Sequence, residues 1–361
     1  NVHSSRNAGD AALTDVTISQ LQENFPDSHI TLAMDDPASY SGDGEAIDSF
    51  FSLVRRGERW DKGNLVKLLP VSLLPVLTHR VLGRPIFVPA PESWRELLQA
   101  YMQADLVVSK PGGFLYSSGR GLSLLISIHT LALALLADKP LYLMPQSIGP
   151  LSCSGEQFLL KQVLKRARLV MVREPASFRL LKTWDLPPDA LILLPDPAFS
   201  YLGAPVSSAM NWLREHGIEP ERASPLLGMT VINWEAQNPE FARQTRYEEA
   251  CAAAARLFIE AYGGKVILFP QVHGPSRSHD DRVPARRIGQ QLSDVESSVF
   301  LIEEPVAPDL LKALYGRMNL FVGTRMHSNI FALSQRVPVV AIGYQPKTVG
   351  ILQMLGLDRW N

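Results

Sequence analysis

The sequence is short of cysteine, of net charge and of long uninterrupted apolar runs, and each shortage removes a class of protein. Its 361 residues hold two cysteines, Cys153 and Cys251, far apart and with no second thiol near either. Neither a disulfide framework nor a thiolate zinc site is expected, and the expected setting is a reducing, cytoplasmic one. Thirty-five Lys and Arg face 36 Asp and Glu, for a net charge of −1. A chain that grips nucleic acid would carry a basic excess or stripe, so no nucleic-acid partner is expected. The most apolar run, Leu122–Ala137, is broken by Ser123, Ser127, His129 and Thr130; it is too short to span a bilayer and reads as a buried helix. No basic-then-apolar leader is read at the start. The opening residues instead read like the end of a strand entering the turn at Asn7-Ala8-Gly9-Asp10, so a fragment is expected at that end. What is present is ordinary globular material, 46% apolar and 20% charged, long enough for two domains.

Short apolar runs alternate with stretches of helical spacing along most of the chain. Strands are expected at His29–Met34, Pro85–Val88, Leu106–Ser109, Pro140–Met144, Leu169–Val172 and Leu191–Leu194. A second series follows at Leu226–Ile232, Lys265–Phe269, Val299–Ile302, Leu320–Val322 and Pro338–Ile342. These runs are apolar throughout rather than at every second residue, which indicates parallel sheets covered on both faces. The rhythm breaks at Tyr201–Pro225, so the expected division is a first domain over 1–200, a linker over 201–225 and a second domain over 226–361. The fold class is α/β, with two doubly wound, Rossmann-like domains facing a central cleft. Residues 39–82 show no clear period and are left unassigned.

Ligands of doubly wound sheets bind where strands hand over to helices. At the first junction Gly9 permits a tight turn, and Asp10 either caps the following helix or serves as a base. Lys110-Pro111-Gly112-Gly113 and Gln146-Ser147-Ile148-Gly149-Pro150 each follow a strand. The two glycines allow close approach of a ligand, while Gln146 and Ser147 offer donors. Arg173-Glu174-Pro175 places a guanidinium at a strand end, for a ligand or for an ion pair with Glu174 or another neighbour. Gly323-Thr324-Arg325-Met326-His327 delivers a guanidinium and an imidazole to a helix N-terminus, where the dipole already favours an anion. Lys347 adds a cation one strand over, and Gln271 follows another strand. His273, His279, Asp280 and Asp281 fit no metal-ligand spacing, and no protein-held metal is expected.

Taken in order, these pieces resemble the polysaccharide pyruvyl transferases. The matching set is Asn7-Ala8-Gly9-Asp10, Gly112-Gly113, Gln146 to Pro150, Arg173-Glu174 with Ser177 and Leu181, Asp196-Pro197-Ala198, Pro270-Gln271, Gly323 with Arg325-Met326-His327, and Gly343-Tyr344 with Lys347. Pro111 stands where the family usually has a third glycine, and Tyr116-Ser117-Ser118 where it often has an acidic residue. The resemblance implies a GT-B-like fold and transfer of the pyruvyl group of phosphoenolpyruvate onto two hydroxyls of a sugar, with phosphoenolpyruvate as co-substrate and no cofactor. It further implies donor binding or catalysis by Arg173, Arg325 and His327. His327 is then the general acid or the group holding the leaving phosphate, and Asp10 the base. Met326, Lys347, Gln271, Gln146, Ser147, Gly112 and Gly113 complete the expected substrate contacts. The acceptor is a sugar or glycan, free or lipid-linked, and the second would bring the protein to the inner face of a membrane as a peripheral contact; Trp60 or Trp94 could assist there, but each is expected first as a core or ordinary surface residue. The rival enzyme is a GT-B glycosyltransferase using a nucleotide sugar, with Glu303 and Glu304 as ribose ligands. The rival of another class is a sugar-binding scaffold without activity.

Overall fold

The computed structural model describes residues 2–57, 59–117, 122–219, 224–237, 241–274, 276–343 and 346–360. The chain divides into two compact units: residues 1–5 with 13–197, and residues 6–12 with 198–361. Two expectations shift as a result. The first unit ends at Pro197, and the turn at residues 6–12 groups with the second unit. The segment 201–225, expected as a linker, contains a helix that packs within the second unit.

Helix α1 (Ala8–Asn24) runs from one unit into the other. The first unit continues with a parallel pair, β1 (Thr31–Met34) and β2 (Glu45–Asp48), then α2 (Phe50–Leu53) and the short ribbon β3 (Arg55–Arg56) and β4 (Arg59–Trp60). Helices α3 (Lys62–Leu82) and α4 (Glu92–Gln103) follow. The main sheet holds β5 (Val107–Ser109), β6 (Gly112–Leu115), β7 (Leu141–Ile148), β8 (Leu169–Val172) and β9 (Leu191–Leu193), with α5 (Leu122–Leu136), α6 (Ser154–Leu164) and α7 (Pro175–Lys182) between strands. Its order is β5-β7-β8-β9, all parallel, and β6 also pairs with β7. Buried Leu141, Leu143, Val170 and Val172 from the strands and Leu124, Leu131 and Leu133 from α5 form one core. The alternate residues Tyr142, Leu169 and Met171 are half-buried, so both faces are covered and the strand sequences are apolar throughout.

The Gly112-Gly113 pair lies in a strand rather than in a ligand loop. β5 and β6 are consecutive pieces alongside β7, separated by Lys110-Pro111. Pro111 has no N–H to offer the ladder. The amide of Gln146 fills the gap: its Nε2 donates to the Ser109 Oγ at 2.6 Å and to the Lys110 carbonyl at 3.1 Å. The expected strand at Pro85–Val88 does not form either. It follows the helix-ending Gly83, and prolines at 85 and 89 cannot donate to a neighbour.

The second unit begins with α8 (Val206–Glu215), which buries Ala209 and Leu213 and packs on a later helix, α12. Its sheet contains β10 (Leu226–Thr230), β11 (Lys265–Leu268), β12 (Val299–Leu301), β13 (Leu320–Gly323) and β14 (Val339–Ala341). The helices are α9 (Trp234–Gln237), α10 (Gln244–Tyr262), α11 (Arg282–Gln291), α12 (Pro308–Tyr315), α13 (Met326–Ser334) and α14 (Pro346–Met354). The order is β12-β11-β10-β13-β14, all parallel. The chain therefore winds outward from β10 in one direction and then in the other. The carboxyl ends of β10, β11 and β13 meet at this reversal, where doubly wound sheets bind ligands.

Lys312 of α12 ties residues 198–201 to this unit. Its ammonium donates to the carbonyls of Ala198, Phe199 and Tyr201, and burial lowers its pKa to about 8.

Candidate active site

At the reversal of the second sheet, three strand ends converge. The β13–α13 turn is held from several sides. Thr230 at the end of β10 bonds the Ser328 hydroxyl at 2.7 Å, Ser328 donates to the Arg325 carbonyl, and Asn329 Nδ2 donates to the Gly323 carbonyl at 3.0 Å. Gly323 is required here: a Cβ would lie 1.7 Å from the Asn329 Oδ1. Thr324 shares a 2.7 Å hydrogen bond with the Tyr247 hydroxyl. The turn that presents Arg325, Met326 and His327 is thus rigid.

Arg325 occupies the N-cap position of α13 and makes no side-chain cap. An arginine has no acceptor atom, so it cannot satisfy the first amides of the helix. Its guanidinium instead donates in bidentate fashion to Asp281, through Nε at 3.0 Å and through Nη2. Asp281 is fully buried and also accepts from the backbone amides of Gln271 and Val272 at 3.3 and 3.1 Å. Burial pushes its carboxyl upward, against the opposing pull of Arg325 and those two amides. From the sequence Asp281 figures only in a group without metal-ligand spacing; the fold makes it the partner of Arg325.

The residues at 6–8 run antiparallel against the loop after β11. Asn7 bridges Val272, the Ala8 amide donates to the Gln271 carbonyl at 3.0 Å, and the His273 amide donates to the Arg6 carbonyl at 3.0 Å. Asn7, rather than Asp10, caps α1: its Oδ1 accepts from the amides of Gly9 and Asp10. Its Nδ2 donates to the Asp10 carboxylate at 2.9 Å, which orients that group. Gly9 packs directly on His327, since a Cβ at position 9 would lie 2.2 Å from the imidazole Nδ1. The glycine serves close approach, a role the sequence reading assigned to a tight turn. Gly9 and His327, 318 positions apart, are therefore in contact, beside the loop at Gln271 that the Ala8 amide and Asp281 both hold. Gln271 is buried, and among the described residues its Oε1 has no hydrogen-bond partner. Met326 is buried as the first residue of α13, and Lys347 is half-buried in the first turn of α14. Tyr344 lies outside the described residues.

The remaining expected residues lie in the first unit. Arg173, at the end of β8, is 1% exposed. Its Nε donates to the Ser147 hydroxyl at 3.0 Å and its Nη1 to the buried Asp196 carboxylate at 2.7 Å. Three matching pieces of the sequence thus meet at one buried ion pair. Glu174 does not pair with Arg173; it caps α7 by accepting from the amides of Ala176 and Ser177. Gln146 and Ser147 are both buried, the first bridging the gap at Lys110-Pro111 and the second holding Arg173.

His279, Asp280 and Asp281 are drawn to separate side-chain partners, while His273 meets Asp280 through a backbone bridge. Asp280 binds Arg282, Asp281 binds Arg325, and His279 Nδ1 meets the hydroxyls of Ser276 and Ser278. Glu303 and Glu304 are likewise engaged, with Arg286 and His216.

A sequence model of the family described as polysaccharide pyruvyl transferase matches residues 7–346. The amylovoran biosynthesis protein AmsJ of Erwinia amylovora is 26% identical over 370 residues, covering 99% of this chain and 85% of its own. Among solved structures, the chain is similar to Staphylococcus aureus MnaA with UDP (TM-score 0.53, 11% identity, 95% of this chain and 78% of that one). It is also similar to the Neisseria meningitidis UDP-GlcNAc 2-epimerase bound to UDP-GlcNAc (TM-score 0.52, 13% identity, 96% and 83%). At that identity the likeness concerns the fold alone, which is GT-B-like.

Proposed function

The chain belongs to the polysaccharide pyruvyl transferase family, and on that premise we propose that it moves the pyruvyl group of phosphoenolpyruvate onto two hydroxyls of one sugar in a cell-surface glycan or its precursor. The observation that carries this reading is the start of α13, where the N-cap Arg325 makes no side-chain cap and Arg325 and His327 stand together at the reversal of the second sheet. Helix amides, a fixed guanidinium and an imidazole suit a donor bearing a phosphate and a carboxylate. Asp281 balances the charge of Arg325 and orients its fork. Attraction of the anionic donor then falls to the helix terminus, His327 and Lys347.

In the proposed reaction the methylene carbon of the donor takes a proton as positive charge develops at the central carbon. One sugar oxygen bonds to that carbon, the carbon–oxygen bond to phosphate breaks, and the second sugar oxygen closes the ketal. Of the two hydroxyl protons, one balances the new methyl group and the other leaves with phosphate. His327 supplies the proton to carbon or holds the departing phosphate, and Asp10, oriented by Asn7, receives a hydroxyl proton. Each proton transfer by a placed side chain contributes about 10²–10⁴-fold. The balance needs no redox cofactor. Arg173 acts one step removed, fixing the Ser147 and Asp196 segments.

Phosphoenolpyruvate labelled with ¹³C, incubated with the protein and a glycan acceptor, should give a labelled ketal carbon and stoichiometric phosphate. Transfer of sugar from a labelled nucleotide sugar, with no phosphate released from phosphoenolpyruvate, would establish the glycosyltransferase instead. The engagement of Glu303 with Arg286 and of Glu304 with His216 speaks against them as ribose ligands.

A further inference from the structure

Helix α3 was left unassigned in the sequence because it is apolar on every side. Its inner face, including Leu68, Val71 and Val76, is buried in the first unit's core, where the helix packs on α4 and α5. Its outer face is apolar as well. Val66 is 79% exposed, Leu69 55% and Val81 77%, with Leu74 and Leu77 exposed between them. At about 100° per residue, positions 66, 69, 74, 77 and 81 fall on one side of the helix, opposite the buried set. By length and composition the helix could cross a membrane, but its buried inner face and the internal Pro70 and Pro75 fit it to lie along one.

Charge identifies the partner. From Lys62 to Arg84 the chain holds Lys62, Lys67, Arg80 and Arg84 and no Asp or Glu, in a protein whose net charge is −1. These cations are exposed beside the apolar face or at its ends; among the described residues Arg80 has Asp138 at 3.4 Å, and the N-cap Asp61, paired with Arg56, precedes Lys62. An exposed apolar helix face bordered by cations matches the surface of an anionic bilayer, with apolar side chains among the acyl chains and basic ones at the headgroups. Trp94 is buried and Trp60 packs against Phe51 and Arg55, so neither supplies this contact.

We propose that the outer face of α3 is a peripheral membrane-contact surface selective for anionic lipid. The proposal does not depend on which group the enzyme transfers.

The test is flotation of the full chain with phosphatidylcholine vesicles containing roughly 30 mol% phosphatidylglycerol, against phosphatidylcholine alone. Binding should be at least about tenfold weaker on the neutral vesicles and should fall as salt is raised. The variant Leu69→Gln/Leu77→Gln/Val81→Gln should lose about tenfold or more of that binding, with an unchanged circular dichroism spectrum and melting temperature. Should that variant misfold, Lys62→Gln/Lys67→Gln/Arg84→Gln keeps the apolar face and should still lose binding and its salt sensitivity. Absence of flotation with anionic vesicles, or equal flotation of the folded variants, overturns the proposal. Also overturning it would be a wild-type dimer that dissociates in the leucine variant while no vesicle is bound, which would assign the face to a second copy of the chain.

Discussion

Two arginines stand at equivalent places in the two units, each at the end of a parallel strand and at the start of a helix. Both meet a buried aspartate, Arg173 with Asp196 and Arg325 with Asp281. The difference lies in the helix behind them. Before α7, Glu174 supplies carboxylate oxygens to the first amides, so that terminus is closed and its arginine sits 1% exposed. Before α13, the cap position itself is the arginine, whose side chain remains 14% exposed. The same strand–turn–helix pattern thus yields a capped, buried joint in one unit and, in the other, a partly exposed guanidinium at a helix start that its own side chain does not cap. Which of the two results depends on where one carboxylate falls.

That contrast can be broken most sharply at His327. Replacing it with Ala should lower turnover by about 10²–10⁴-fold while leaving the melting curve in place. A large loss of stability with normal turnover would reverse the assignment. Arg173→Ala and Asp196→Ala should behave oppositely, each destabilising the fold by about 3–5 kcal/mol because a buried charge loses its partner. If denaturant unfolding shows neither destabilised and donor affinity falls instead, the first unit's joint is a binding site.

Acid should bear on the first unit in the same structural way. Burial pushes His129 down to about 4, where it bonds Ser72 and packs on Phe50. Its pKa is lower folded than unfolded, so the unfolded chain binds more protons between pH 6.5 and 4. Stability from this group is complete above 6.5 and declines as pH falls toward 4, by up to about 3 kcal/mol. His129→Gln should flatten that part of the stability–pH curve; an unchanged slope would remove the assignment.

Gly9→Ala tests the packing behind His327. The new methyl cannot coexist with the imidazole where it now lies, and displacement on that scale should lower turnover about 100-fold. A steady-state rate equal to wild type would show that the contact does not position the ring. The smallest effect belongs to Glu174→Ala, which removes the α7 cap and should lower stability by about 1 kcal/mol in a thermal melt with turnover unchanged.

Leu169–Val172 was legible to its ends because a strand buried on both faces is apolar at every position. α3 was not, since a helix apolar all round carries no 3.6-residue signal and its interior prolines read as breaks. Pro85–Val88 misled for the opposite reason, an apolar run without the amides to join a sheet. At the site, Arg325 and His327 were visible as a pair at a helix start. Asp281, 44 positions earlier, and the contact with Gly9 were not, because no local pattern encodes them.

The alternation of buried strands and helices was determined by the sequence alone, since burial is recorded residue by residue in side-chain polarity. So was the delivery of a guanidinium and an imidazole to one strand–helix junction. The tertiary structure alone decided which carboxylate balances each arginine and that the first turn of α1 abuts His327. Those outcomes depend on strand order, which brings distant segments within hydrogen-bond reach and is set by the packing of the whole sheet.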